Sequence, residues 1–241
     1  MPRRRRLLAN PAWVTDTIAS AFEDIEAEVP AAWLPKLDKV KPSSASRVSG
    51  RLKEYGCGKY GCVFPTLDPN IVMKVTTDDT EAEFATQLSH TLVAPICVHY
   101  YATMKLDTTY QSRDITLLWR DSADMVGGLI DHIEETTGRG DEALALLAAQ
   151  HTAAQRAYQA IFVGKPASTR DALVSAWVLT CLEMARQTEV PELQPLGQGL
   201  SQVYAAQHIV FGDVHDGNLG LIHRPDGSRW VVTDPGHVAV V

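Results

Sequence analysis

The stretch Gly56-Cys57-Gly58-Lys59-Tyr60-Gly61-Cys62-Val63, followed after a short gap by Ile71-Val72-Met73-Lys74-Val75, decides how this chain is read. Its first part spells G-x-G-x-x-G-x-V. Glycines at such spacing let a backbone approach phosphates closely and leave N–H groups to bind them. The three-glycine pattern also occurs in dinucleotide-binding folds, where it opens a helix. Here the turn Asp68-Pro69-Asn70 and a second β-prone run follow instead. That context predicts antiparallel strands, a glycine-rich hairpin in place of a strand-to-helix turn.

Lys74 lies within the second β-prone run, flanked by Met73 and Val75. It reads either as an edge-strand gatekeeper or as a cation held over the α- and β-phosphates of a nucleotide. Pairing with the glycine hairpin favours the second reading. Such a lysine needs a carboxylate to orient it. A short helix is predicted over residues 79–89, and it offers Glu81 and Glu83. Glu81 shares a face with Phe84, Ala85 and Leu88, so it is expected to point inward. Glu83 lies on the polar face with Gln87 and His90, where an acid is ordinarily solvated. Strands over residues 93–104 and 115–119 complete a small, mostly β lobe.

Upstream, residues 12–29 carry Val14, Ile18, Ala21, Phe22 and Ile25 at helical spacing, with Pro30 just beyond. Residues 35–50 are rich in serine and contain Pro35 and Pro42, as a linker does. Arg3–Arg6 form a short basic run, read as a solvated tail. Downstream of Met125 the pattern turns helical, with segments over 141–162, 168–187 and 196–207. A strand at 209–211 and a hairpin over 219–223 and 230–233 close the chain. The expected fold class is therefore α+β, with a basic tail, helix and linker in residues 1–50, a β-rich lobe in 51–122 and a helical lobe in 123–241.

Composition narrows the class. Of 241 residues, 45% are hydrophobic and 21% charged, as in an ordinary globular protein. The formal net charge of -7 gives no general basis for nucleic-acid binding, which leaves Arg3–Arg6 as its one candidate site. No apolar run reaches the roughly 18 residues of a membrane helix. The four cysteines suggest neither a disulfide framework nor a zinc site, which points to reduced thiols and a cytoplasmic protein. Cys57 and Cys62 flank the glycine turn. Oxidation could lock it closed, while two plain thiols are the ordinary alternative.

Near the C-terminus, Gly212-Asp213-Val214-His215-Asp216-Gly217-Asn218 follows an apolar run, and Thr233-Asp234-Pro235-Gly236 follows the hairpin. Phosphoryl transfer needs a group that positions the acceptor hydroxyl, plus oxygen ligands for magnesium on the triphosphate. Asp213 suits the first role, and Asn218 and Asp234 the second. Singly these are turn-forming residues. Their joint order with the glycine hairpin, Lys74 and Glu81 resembles the protein-kinase-like superfamily. The loop at 212–218 is similar to that of aminoglycoside phosphotransferases and atypical kinases.

The resemblance implies a two-lobed protein-kinase-like fold with a small antiparallel β lobe and a reduced helical C-lobe. It implies ATP and Mg2+ as cofactors, with Gly56, Gly58, Gly61, Val63 and Lys74 around the nucleotide and a hinge near residues 119–122 against adenine. Asp213, Lys74 and Glu81 would act in catalysis. His215 either stiffens the catalytic loop or is a structural histidine. Pro235 replaces the family's phenylalanine after the metal-binding aspartate. The chain ends at Val241 without the helices that follow this aspartate in the family, so residues 125–207 would supply the lower lobe. A minimal Ser/Thr-type protein kinase is the first expectation, its acceptor an unidentified protein or its own Ser43, Ser44, Ser46 and Ser49. A small-molecule kinase and a nucleotide-binding pseudokinase are the alternatives.

Overall fold

Central strands buried on both faces build the first of two compact units. The computed structural model describes residues 12–36, 56–58, 60–87, 96–124, 129–142, 145, 190, 193–207, 209–211, 218–235 and 238–240. The chain divides into one unit of residues 1–86 and 99–122 and a second of residues 87–98 and 123–241. Among the described residues the fold is mixed α+β.

In the first unit, β1 (Gly56–Cys57), β2 (Gly61–Pro65), β3 (Ile71–Thr76), β4 (Tyr100–Tyr110) and β5 (Arg113–Asp121) form an antiparallel sheet in the order β1-β2-β3-β5-β4. The register sets Cys62, Val75, Leu117 and Met104 in one row across the sheet, and Phe64, Met73 and Trp119 in the next. These side chains share a face. Helix α1 (Ala12–Glu28) completes the core there, since Val14, Ile18, Ala21 and Ile25 are buried in the same cluster. Their spacing of three or four residues puts them on one side of the helix. A single 3-10 turn, Ala31–Trp33, follows, and the Trp33 carbonyl accepts a hydrogen bond from Trp119 Nε1 at 2.8 Å. Pro35 then bridges to Thr66, and the Lys36 amide donates to the Pro65 carbonyl at 2.7 Å. Residues 35 and 36, read in the sequence as linker, are therefore docked on the sheet.

The opposite face carries Val63, Lys74, Leu118, Arg120 and Tyr100. Phe84 of α2 (Asp79–Gln87) meets the Tyr100 ring edge-on, their centroids 6.2 Å apart. The β4–β5 connection is two residues long, and Gln111 and Ser112 both have positive φ, 51° and 62°. A tight hairpin turn of this hand is ordinarily written with Asn or Gly. The sequence lacks that signal here, so the strand expected over 93–104 begins later, at Tyr100, and runs on to Tyr110.

In the second unit, β7 (Leu219–Arg224) and β8 (Gly227–Val232) form a hairpin around the Pro225-Asp226 turn. Residues 96–98 run beside β8. Ile96 accepts from the Val232 amide at 2.8 Å, and Val98 donates to the Val232 carbonyl at 3.1 Å. Helix α3 (Leu129–Thr137) sets His132 edge-on to the buried Trp230, with centroids 5.0 Å apart. Helix α4 (Gln194–Gln207) passes so close to Ile96 that a Cβ on Gly199 would lie 2.1 Å from Ile96 Cγ2. Strands β6 (Ile209–Phe211) and β9 (Val238–Val240) pair antiparallel, a partnership the sequence reading did not include. Most of the helix expected over 141–162 and all of that over 168–187 lie outside the described residues.

The hairpin register makes unequal demands on its glycines. A Cβ at Gly61 would stand 1.9 Å from the Val75 carbonyl oxygen, whereas a Cβ at Gly58 meets nothing within 4 Å. Gly61→Ala is expected to lower unfolding stability by about 2–3 kcal/mol, at the upper end of ordinary overpacking costs. Gly58→Ala should stay within about 1 kcal/mol of the parent. Urea titrations followed by tryptophan fluorescence read both, and equal losses would contradict the register.

Candidate functional site

Strand pairing sets Val63 directly across from Lys74, on the sheet face turned away from α1. Lys74 comes from the interior of a strand whose six residues are all buried, so its ammonium group needs a partner. Helix α2 supplies it. Asp78 caps the helix, its Oδ1 accepting from the Thr80 amide at 3.0 Å and the Glu81 amide at 3.4 Å. That start places Glu81, Phe84 and Ala85 on the buried side and leaves Glu83 exposed. Lys74 Nζ lies 2.6 Å from Glu81 Oε2, with side-chain exposures of 9% and 0%. Tyr100 donates its hydroxyl to Glu81 Oε1 at 3.3 Å. The lysine and the inward glutamate are thus brought together, with Tyr100 as a further partner that sequence reasoning missed. The signal for it lay in the strand register, which a misplaced β4 concealed.

The glycine turn itself is closed. The Gly58 amide donates to the Gly61 carbonyl at 2.8 Å, and the Tyr60 carbonyl accepts from both the amide and the hydroxyl of Thr77, at 2.8 and 3.1 Å. Gly58, expected to offer its N–H to a phosphate, spends that donor within the turn. Gly56 pairs with Val63 one step further out. Between those pairs, Cys57 and Cys62 face each other and are joined by a disulfide, with Cα atoms 4.1 Å apart. The expectation of reduced thiols is corrected at this pair. Directly opposed, non-hydrogen-bonded positions of an antiparallel ladder bring side chains closest together. A cleft of about 390 Å3 opens beside the turn, lined in part by Trp13, Tyr60, Cys62, Tyr110 and Arg113. Trp13 stacks on Tyr110 with centroids 4.3 Å apart, and the Arg113 guanidinium lies 5.3 Å from the Tyr60 ring centre.

Residues 119–122, expected to present backbone groups to a base, are partly committed. The Asp121 amide donates to the His99 carbonyl at 3.0 Å and the Ser122 amide to the Asn70 carbonyl at 2.8 Å. The Asp121 carboxylate is buried and accepts from the His99 amide at 2.9 Å and from the Tyr101 hydroxyl at 2.8 Å.

In the second unit the β7–β8 register pairs Leu219 with Val232, and the Asn218 carbonyl accepts from the Thr233 amide at 2.8 Å. Asn218 and Asp234 therefore stand at the same end of one hairpin. An amide oxygen and a carboxylate there suit Mg2+, which typically takes one or two protein carboxylates and fills its shell with phosphate and water. Among the described residues no cluster of three or more His, Cys, Asp or Glu forms a closed metal cage. Asp213 and His215 lie outside the described residues.

One further polar cluster had no sequence signal. His223 contacts Ser228 Oγ through Nδ1 at 2.8 Å and Asp124 Oδ2 through Nε2 at 3.1 Å. Asp124 and His223 are 99 residues apart in sequence, and all three members are exposed. Paired backbone bonds of 2.9 Å between Asp124 and Leu221 hold the same contact. The serine is exposed, and the contacts tie residue 124 to the hairpin.

Cys97 is the one free cysteine among the described residues, and burial pushes its thiol well above the usual range.

Comparison of the chain with protein-family models and with curated proteins returned no match.

Two outcomes follow from this geometry. Lys74→Met strands the Glu81 charge in a dry setting and should cost about 3–5 kcal/mol of stability. Lys74→Met with Glu81→Gln removes the charge and keeps an acceptor for Tyr100, so most of that loss should return in denaturant titration. Cys97 stays protonated where an ordinary cysteine, with a pKa of about 8.5, ionises. Peptide-resolved iodoacetamide labelling of Cys97 should therefore accelerate between pH 7 and 9 in urea and remain slow in the native protein.

Proposed function

We propose that the chain is an ATP- and magnesium-dependent phosphotransferase of two-lobed, protein-kinase-like architecture, acting on the hydroxyl of a protein serine or threonine. One observation carries the reading: the buried Lys74–Glu81 pair beside Val63, on the sheet that bears the glycine hairpin. A buried ion pair is an expensive way to stabilise a fold, often matched or bettered by apolar residues of similar size. Its presence next to a glycine-rich turn is explained if the lysine serves a polyanion.

In this reading Lys74 contacts the α- and β-phosphates, and Glu81, steadied by the Tyr100 hydroxyl, holds the ammonium group in place. Val63 offers an apolar surface beside the lysine for the base. Asn218 and Asp234 hold Mg2+. The bound ion would neutralise charge on the triphosphate. Asp213, read from the sequence alone, orients the acceptor hydroxyl, and His215 stiffens its loop.

A second reading, a nucleotide-binding module without turnover, is favoured by one feature. The amides of Gly58, Asp121 and Ser122 are already engaged inside the first unit, which leaves fewer donors for a nucleotide.

Intact-mass analysis after incubation with MgATP separates the two. The kinase reading expects addition of one or more phosphates in the parent and none in Asp213→Ala. Asp234→Ala should cut turnover about a hundredfold or more while circular dichroism stays unchanged. Full activity in the Asp234 variant would defeat the assignment. ATP-dependent thermal stabilisation without mass gain in any form would favour the binding module.

A further inference from the structure

The disulfide across the glycine turn has no role in the phosphoryl-transfer reading above. Its position is specific. Cys57 and Cys62 sit immediately outside the Gly58–Gly61 pair that closes the turn. Strand β1 is only two residues long, lies at the sheet edge, and pairs with β2 through Gly56–Val63 and Cys57–Cys62. A two-residue edge strand has few backbone bonds to hold it and is the kind of element that opens locally. The covalent bond is therefore the strongest restraint on β1 among the described residues. In the bonded state the Gly58 amide faces inward to Gly61. The same glycine has open space around its Cα, so the fold itself does not require that residue type there.

We infer that the Cys57–Cys62 pair is a thiol–disulfide gate on the glycine turn: the disulfide keeps the turn closed with its Gly58 donor occupied, and reduction releases β1 so that the donor can meet an anionic phosphate. The inference rests on the nucleotide reading proposed above. A dithiol reductant performs the step. Its thiolate attacks the sulfur of Cys57, which is half-buried, whereas Cys62 is only 1% exposed. The Sγ–Sγ bond breaks, Cys62 leaves as a thiolate and takes up a proton, and a mixed disulfide forms on Cys57. The second thiol of the reductant then displaces Cys57. Two electrons and two protons have passed to the protein, and the reductant has become a cyclic disulfide. Buried Cys97, its thiol held protonated, stays out of the exchange.

The test uses the full chain carrying Cys181→Ser, prepared oxidised and reduced with dithiothreitol, beside a Cys57→Ser/Cys62→Ser variant. The redox state is verified by intact mass. ATP affinity is measured by calorimetry with magnesium present, and amide hydrogen exchange is followed over residues 56–63. The gate expects the reduced protein to bind ATP about tenfold or more tightly than the oxidised one, in proportion to the fraction of open turn. The double serine variant should bind tightly in both conditions, and exchange in the turn should be faster after reduction. Equal affinity in the two states, or tighter binding when oxidised, overturns the gate. Equal exchange protection overturns the locking of the turn, whatever ATP does. Loss of binding in every form, the serine variant included, overturns the nucleotide reading and the gate with it, whereas redox-insensitive binding overturns the gate alone.

Discussion

A lysine and a glutamate buried against each other constrain much of the first unit. Removing each charge from water costs several kcal/mol, and the pair recovers this only if the two groups are held at contact distance. Holding them requires β3 to present Lys74 on one face, α2 to begin at Asp78 so that Glu81 falls inward, and β4 to bring Tyr100 within reach. The three elements are thereby fixed relative to one another. The opposite sheet face, filled by α1, packs mainly by shape and hydrophobicity, with the Trp119–Trp33 hydrogen bond beside them.

This division explains what was legible. The glycine spacing, the Asp68-Pro69-Asn70 turn and the helical face of α2 are local signals, and they led to β2, β3 and the choice of Glu81 over Glu83. The α1 stripe was equally plain, because four buried positions repeat at helical spacing. The start of β4 and the β4–β5 turn were not readable, since Gln111 and Ser112 adopt positive φ without the residues that normally announce it. Tyr100 lay within the strand expected over 93–104, but without the β4–β5 register nothing set it beside Glu81. Pairing of β6 with β9, and of residues 96–98 with β8, depends on contacts remote in sequence. No local pattern encodes those.

The cysteines illustrate a different limit. Their count and spacing argued against structural disulfides, a rule drawn from whole chains. Whether two particular thiols meet depends on register, and here the turn length puts Cys57 opposite Cys62. The donor accounting shows a similar gap. A glycine pattern announces backbone that can approach a ligand, but the tertiary fold decides which N–H groups are already used, as at Gly58, Asp121 and Ser122.

Trp119 donates to the carbonyl of Trp33, a residue far upstream that follows α1 in the chain, and Pro65 and Thr66 are bound by the segment just after it. The leading helix is thus not an appendage to an autonomous sheet. A sheet stripped of it would turn Phe64, Met73, Leu117 and Trp119 toward water as one contiguous oily wall, the kind of surface that drives association between copies. The N-terminal helix is therefore one half of the sheet's own core, and each segment depends on the other to keep its apolar side dry.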